Sequence, residues 1–336
     1  MDSKKIITPA HYDAFTCAAG DCPDTCCKDW DIVVDGETLE FYEDLGGDVM
    51  RHIVTDDDGD VIIKFEGGVC PFLSEDRLCA IQKKHGAQRL CATCRAFPRV
   101  TQDYTEFEER LLTLACPEAA RLIVVGRDKF SFIDNSSVER SDNGYDRDYM
   151  NFLLHARFLT AEKLRSDKPF TEKMRDVLSL SEHVQQLIDD ERFTEPPEEY
   201  EPLGFSGGEE ARARVFELHK GLDVMDKEWL MTAVSCKNEK LPANLDEELS
   251  SLALYYVARY YLTAISSYDI ITTIKRAWCA AVVCAALTAR ENAENDPLAR
   301  ALIYQKYSKE IEHSDENLDL MTDAFLGEGF DSRVLL

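Results

Sequence analysis

Four cysteines stand within the eleven residues Cys17-Ala-Ala-Gly-Asp-Cys-Pro-Asp-Thr-Cys-Cys27, and nine of the chain's 12 cysteines (17, 22, 26, 27, 70, 79, 91, 94 and 116) fall in the first 116 of its 336 residues. Sulfurs this dense constrain the fold more than any other feature: they grip a metal, form disulfides or are coincidence. A chain of this length builds cores that need no covalent staples. The N-terminal MDSKKIITPAHYDAF has no apolar run of the signal-peptide kind, and no later segment reaches the roughly 18 uninterrupted apolar residues of a membrane span. The expectation is a soluble, cytoplasmic protein with no membrane partner. In a reducing cytosol cysteines persist as thiols or metal ligands, so a metal site is favoured over a disulfide framework.

Spacing supports that choice. Cys17-x4-Cys22-x3-Cys26-Cys27 is a tight turn shaped by Gly20 and Pro23, Cys91-x2-Cys94 supplies a second, Cys70 and Cys79 bracket a loop, and Cys116 stands at a strand-to-helix junction. Neighbouring side chains diverge, so Cys26 and Cys27 rarely both serve one centre: one binds while the other packs, or the two face different centres. The C-x3-C-x2-C loop of a radical enzyme is excluded, because Asp29 stands where its third cysteine would be. Twelve cysteines against seven histidines suit an iron–sulfur cluster at least as well as zinc. Cys236, Cys279 and Cys284 sit in apolar or helical surroundings and are expected to be structural thiols.

The rest of the pattern is α+β. Strand-like runs at Trp30–Val34, Val61–Phe65 and Glu108–Ala115 alternate with short helical candidates at Thr38–Leu45, Leu78–His85 and Pro117–Val125. A polar stretch from Asp134 predicts a linker over 134–147. Beyond it, apolar residues recur at helical spacing over 148–164, 171–189, 209–222, 245–266, 270–290, 297–311 and 314–325. The domains expected are thus a small irregular cysteine-rich metal-binding unit over 1–133 and a mainly α-helical unit over 148–336. The formal charge of −26 excludes a nucleic-acid backbone as partner and suits a basic one, although acidity also serves plain solubility. Four tyrosines in Leu252–Leu262 predict a core helix whose phenols reach polar partners, in preference to an aromatic cage.

The runs Cys22-Pro-Asp-Thr-Cys-Cys-Lys-Asp-Trp30, Gly68-Val-Cys-Pro-Phe-Leu-Ser-Glu-Asp-Arg-Leu-Cys-Ala-Ile-Gln82, Leu90-Cys-Ala-Thr-Cys-Arg-Ala-Phe-Pro-Arg99 and Ala115-Cys-Pro-Glu-Ala-Ala-Arg121 together resemble the flagellin lysine-N-methylase family, whose cysteine-rich part looks like the zinc- or iron-chelating cysteine-cluster proteins. A late segment, Tyr307–Leu318, resembles the family's C-terminal pattern. The resemblance implies methyl transfer from S-adenosylmethionine to lysine amines of flagellin, in an enzyme carrying an iron–sulfur cluster, 4Fe-4S favoured over zinc. By density and spacing the candidate ligands are mainly Cys22, Cys26 or Cys27, Cys91 and Cys94, with Cys17, Cys70, Cys79 and Cys116 as further ligands or a second centre. His313 is the candidate proton acceptor, oriented by Glu312; Arg95, Arg99 and Asn317 are candidate cofactor contacts. Plainer roles stand beside these: loop ion pairs for the arginines, and a helix cap at Ser314-Asp-Glu. No glycine-rich strand-to-helix loop for the cofactor is present; Gly46-Gly47, Gly67-Gly68 and Gly207-Gly208 are isolated turn pairs. The rival reading is a non-enzymatic, metal-stapled protein-binding module.

Overall fold

Two apolar cores of very different size organise the chain. The computed structural model describes residues 3–30, 32–139 and 144–336, with backbone alone for residues 3–4 and 132–139. Its strands are β1 (Ser3–Pro9), β2 (Ile32–Val33), β3 (Ile53–Thr55), β4 (Val61–Ile63), β5 (Arg99–Asp103), β6 (Phe107–Leu112) and β7 (Phe132–Glu139). The helices of the first half are α1 (Gly36–Leu45), α2 (Gly47–Met50), α3 (Ala80–His85), α4 (Ala92–Ala96), α5 (Pro117–Ala120), α6 (Arg147–Arg165) and α7 (Phe170–Asp189). Those of the second half are α8 (Glu209–His219), α9 (Lys227–Ser235), α10 (Asp246–Tyr260), α11 (Ala264–Ser267), α12 (Ile271–Arg290), α13 (Pro297–Tyr307) and α14 (Asp315–Phe325).

The large core lies between the helices and a four-stranded sheet of order β5-β6-β1-β7. At its centre α12 packs on α10. Alanines at 277, 280, 281, 285 and 286 give α12 high helix propensity and a surface small enough for close approach, and all five are buried. Among the described residues α12 alone is long and apolar enough to cross a bilayer, and 89% of its apolar window is buried inside the protein, as in a core helix. Two bidentate ion pairs are enclosed: Arg157 on Glu109, with Nη–Oε distances of 2.9 and 2.7 Å, and Arg300 on Glu248. Asp146 caps α6, Asp296 caps α13 ahead of Pro297, and Ser314 caps α14 by accepting from the Asn317 amide.

The small core, in a lobe over residues 17–97, is built on Ile32, Val34, Tyr42, Ile63, Cys70, Phe72, Ile81 and Cys91, with a three-stranded sheet of order β2-β4-β3. This lobe is inserted between β1 and β5. Ile7 faces Glu109 in the parallel β1–β6 pair and Arg99 faces Leu112 in the antiparallel β5–β6 pair, so Pro9 and Arg99 lie at the same end of the large sheet. The division by core therefore falls near Arg99, and β5, β6 and α5 belong with the helices although the sequence groups them with the cysteines. The expected linker also differs in part: residues 132–139 form β7, antiparallel to β1, because pairing with an open strand decides conformation where composition suggests a loop. Residues 140–143 of that stretch lie outside the described residues.

Candidate functional site

Backbone pairing draws the cysteines of the lobe together. The Cys70 amide donates to the Cys27 carbonyl at 2.9 Å, a bridge joins Leu73 to Cys79, and the Arg77 guanidinium donates to the Cys22 carbonyl at 2.6 Å. The Gly67-Gly68 turn closes the Glu66–Val69 bridge. Gly68 has φ +78°, and a Cβ there would stand 2.9 Å from the Asp29 carboxylate. Asp35 caps α1 and also accepts from the Ala92 amide at 2.6 Å, which fixes the start of α4 beside Cys91. Trp30 donates to the Cys26 carbonyl and rests 5.7 Å from the Phe97 ring.

All 12 cysteines are free thiols. Cys27, Cys70, Cys79, Cys91 and Cys94 share the small core. Cys17, Cys22, Cys26 and Cys116 stand within electrostatic reach of one another at its edge. Within the pairs Cys26/Cys27 and Cys91/Cys94 the neighbouring thiol favours the thiolate of its partner, which lowers Cys27 and Cys91 below the ordinary thiol value. Burial pushes Cys70 up to about 12 and Cys116 up to about 11. This donor chemistry fits a thiophilic metal. Among the described residues no three His, Cys, Asp or Glu side chains are arranged as a metal-holding group, so the thiols as placed close no coordination shell. Cys236, Cys279 and Cys284 are buried in the helical core, as their surroundings predict.

The C-terminal segment meets the first cysteine loop. Lys309 reaches Asp24 at 3.5 Å and Asp29 at 3.4 Å, while Gln305 donates to Asp24 and to the carbonyl of Ala115, next to Cys116. A π-helical turn over Ser308–Glu312 then carries Glu312 inward. Glu312 is 5% exposed. Its Oε1 accepts from the phenols of Tyr255 and Tyr260, and its Oε2 accepts from Ser308 Oγ at 2.8 Å. Burial, with the Glu312 charge, pushes both phenols well above the ordinary tyrosine value. His313 points elsewhere: it is exposed, and its Nε2 lies 2.9 Å from Thr113 Oγ1, just past the end of β6. Glu312 therefore does not orient His313, as the sequence predicts; adjacent residues on a helical turn diverge, and hydroxyls saturate the carboxylate.

The other candidates are dispersed. Asn317 is buried, donates to the carbonyls of Asp223 and Glu310 and accepts from the Asp223 amide, so its side chain staples α14 to the loop before α9. Arg95 donates to the Gln88 and Leu90 carbonyls within the lobe. Arg99 lies over the rings of Tyr12 and Phe15, at 5.7 and 5.2 Å.

Over 150 residues, 42% of this chain, the sequence is 33% identical to the flagellar biosynthetic protein FliU of Salmonella muenchen, and the match takes in 89% of that protein. The chain belongs to the flagellin lysine-N-methylase family. It is also 32% identical over 153 residues to the lysine-N-methylases of Salmonella typhimurium and Salmonella choleraesuis; the match covers 43% of this chain and 38% of each of those longer proteins. No family model and no solved structure matches the chain. Sequence reading misses the contacts made here by Thr113, Tyr255, Tyr260, Ser308 and Lys309. Of these only the tyrosines carry a signal, as a polar-tipped stripe on an apolar helix.

Proposed function

We propose that the chain is a protein-lysine N-methyltransferase that transfers methyl from S-adenosylmethionine to surface lysines of flagellin in the cytoplasm, without a nucleic-acid or membrane partner. The observation that carries this is the match to FliU and to the two lysine-N-methylases. The −26 charge supports it by favouring a lysine-bearing substrate. Of the nine candidate cysteines, Cys27, Cys70, Cys79, Cys91 and Cys94 would hold a cluster, 4Fe-4S favoured and zinc the alternative, with Cys17, Cys22, Cys26 and Cys116 at its edge. When bound, such a cluster supplies a Lewis-acidic metal able to anchor an amino-acid head group.

Methylation needs a neutral amine, so the chain must take a proton from a lysine ammonium. The phenols of Tyr255, Tyr256 and Tyr260 are pushed up and stay protonated, which makes them donors and leaves Glu312 and His313 as acceptors. Both lie where the lobe docks on the C-terminal helices, through Lys309 and Gln305. Incubation of anaerobically purified, metal-replete protein with methyl-labelled S-adenosylmethionine and flagellin is the test. Label on lysine is expected; none from folded, metal-replete protein rejects the proposal.

A further inference from the structure

We propose that a cleft between the end of β5, the start of α6 and the segment 262–268 docks a lysine-bearing stretch of the protein partner. That the cleft takes a cation rests on its walls; that the cation is a protein's lysine rests on the methyl-transfer reading. The cavity beside Glu312, lined by Tyr256, Tyr260 and Tyr307, has about 10 Å³, room for one water and not for a polypeptide. The cleft has about 680 Å³, within the range of about 300–1,000 Å³ in which ligand sites fall.

Its walls carry Tyr104, Tyr145, Tyr149 and Tyr268 and the carboxylates of Asp103 and Asp146, and among the described residues that line it there is no Lys, Arg or His. Aromatic faces and carboxylates both attract cations. Of the neighbouring bases, Arg147 ion-pairs with Glu106 and Arg259 stacks 5.1 Å over Tyr260. A phosphate or carboxylate would find no cationic partner in these walls, and S-adenosylmethionine brings a carboxylate with its sulfonium. A lysine side chain suits both parts: its methylene stem covers the rings and its ammonium meets the carboxylates.

Local structure presents these groups. Tyr268 follows α11 with φ +56°, a left-handed conformation that strains a bulky residue and suits glycine. Its amide donates to the Ala264 carbonyl, and its own carbonyl accepts from Gln185 Nε2 at 2.8 Å. The ring ends a stack of three: it lies 5.1 Å from Tyr149, nearly parallel, and Tyr149 stacks at 4.4 Å on Phe193. With one face on Tyr149, Tyr268 is still 53% exposed. Asp146 uses Oδ1 alone to cap α6, accepting from the amides of Asp148 and Tyr149, and both Asp146 and Asp103 are exposed. One turn joins the cleft to the buried carboxylate. Gln102 Nε2 donates to the Arg259 carbonyl at 2.7 Å, Tyr260 donates to Glu312, and Leu262 and Thr263 line the cleft.

The test measures, by fluorescence anisotropy, the binding of a labelled tetralysine peptide to four metal-replete proteins. These are wild type, Asp103→Asn with Asp146→Asn, Tyr268→Gly, and Asp57→Asn with Asp58→Asn, which removes the same charge from an exposed turn of the cysteine lobe. Asparagine keeps the α6 cap and glycine relieves the left-handed turn, so the cleft variants fold. Each cleft variant should weaken binding about tenfold, the lobe variant should stay within about twofold of wild type, and the acetylated peptide should not compete. Equal affinity in all four proteins, or equal weakening by the two double variants, overturns the cleft. Loss of S-adenosylmethionine binding from the cleft variants with peptide binding intact overturns it too, in favour of the cofactor. In methylation assays the cleft variants should raise KM for flagellin at unchanged kcat. The expected peptide pattern with no methylation by wild type rejects the methyl-transfer reading and leaves the cation cleft standing.

Discussion

The helical core and the cysteine lobe are held by different means. The first encloses apolar side chains from ten helices and a sheet and tolerates two buried ion pairs. The second has eight buried residues, two of them cysteines, and strands of two or three residues. Burial alone stabilises the first; a unit as small as the second usually takes a metal or a docking surface to hold its loops. Stability and metal dependence should therefore separate along the chain at Arg99.

The largest effect is expected on metal removal. Chelation of anaerobically purified protein should abolish amide-exchange protection over 17–97 while α6, α7, α10 and α12 keep theirs, and uniform loss would erase the distinction between the regions. Serine at Cys27 or Cys91 should lower bound metal, whereas alanine at Cys236, Cys279 and Cys284 together should leave it unchanged. Next in size, Glu109→Ala leaves Arg157 buried without its carboxylate and should cost about 3–5 kcal/mol in urea melts without altering metal content.

His219 gives an acid signature confined to the helical core. Burial pulls it down to about 4, and it hydrogen-bonds the Val215 carbonyl and the Tyr307 hydroxyl. Because the unfolded imidazole takes its proton near the ordinary value of about 6.5 and the folded one only near 4, the unfolded state binds more protons in that window. Stability is unaffected above it and should fall by about 1.4 kcal/mol per pH unit within it, about 3 kcal/mol in all. His219→Gln should flatten that slope in melts at pH 7 and 5.5; a slope identical to wild type would show that the histidine is not its source. The smallest effect belongs to the seam: Lys309→Met removes contacts to two half-buried carboxylates and should cost about 1 kcal/mol, read as faster proteolysis of the lobe with the helices intact.

Helices were legible because their information is local. The apolar spacing of 270–290 and the Ser314 cap each lie within a few turns, and the structure places helices there. β1 was not, since Lys5-Ile6-Ile7 is a strand only through partners a hundred residues or more away, at Phe107–Glu109 and in β7. Cysteine spacing reveals a lobe but not its edge, because Cys116 lies in the large core while Cys94 is the last residue of the small one. The Glu312 network has the same difficulty in sharper form. Its members come from positions 255, 260, 308 and 312, two stretches of sequence about fifty residues apart.

The insertion of the lobe between β1 and β5 has a consequence for how the chain is made. During synthesis β1 leaves the ribosome ahead of the lobe, with its hydrogen-bonding edges open, and its parallel partner β6 follows only after the whole lobe. Joining distant segments costs more the longer and looser the intervening chain, though only about 0.6 kcal/mol for each doubling. A lobe that has already folded replaces that loose chain with a rigid body whose two ends emerge about 10 Å apart, two strand spacings, at one end of the sheet. Early folding of the lobe thus shortens the search by which β1 finds β6 and limits the time that an unpaired edge is open to other nascent chains.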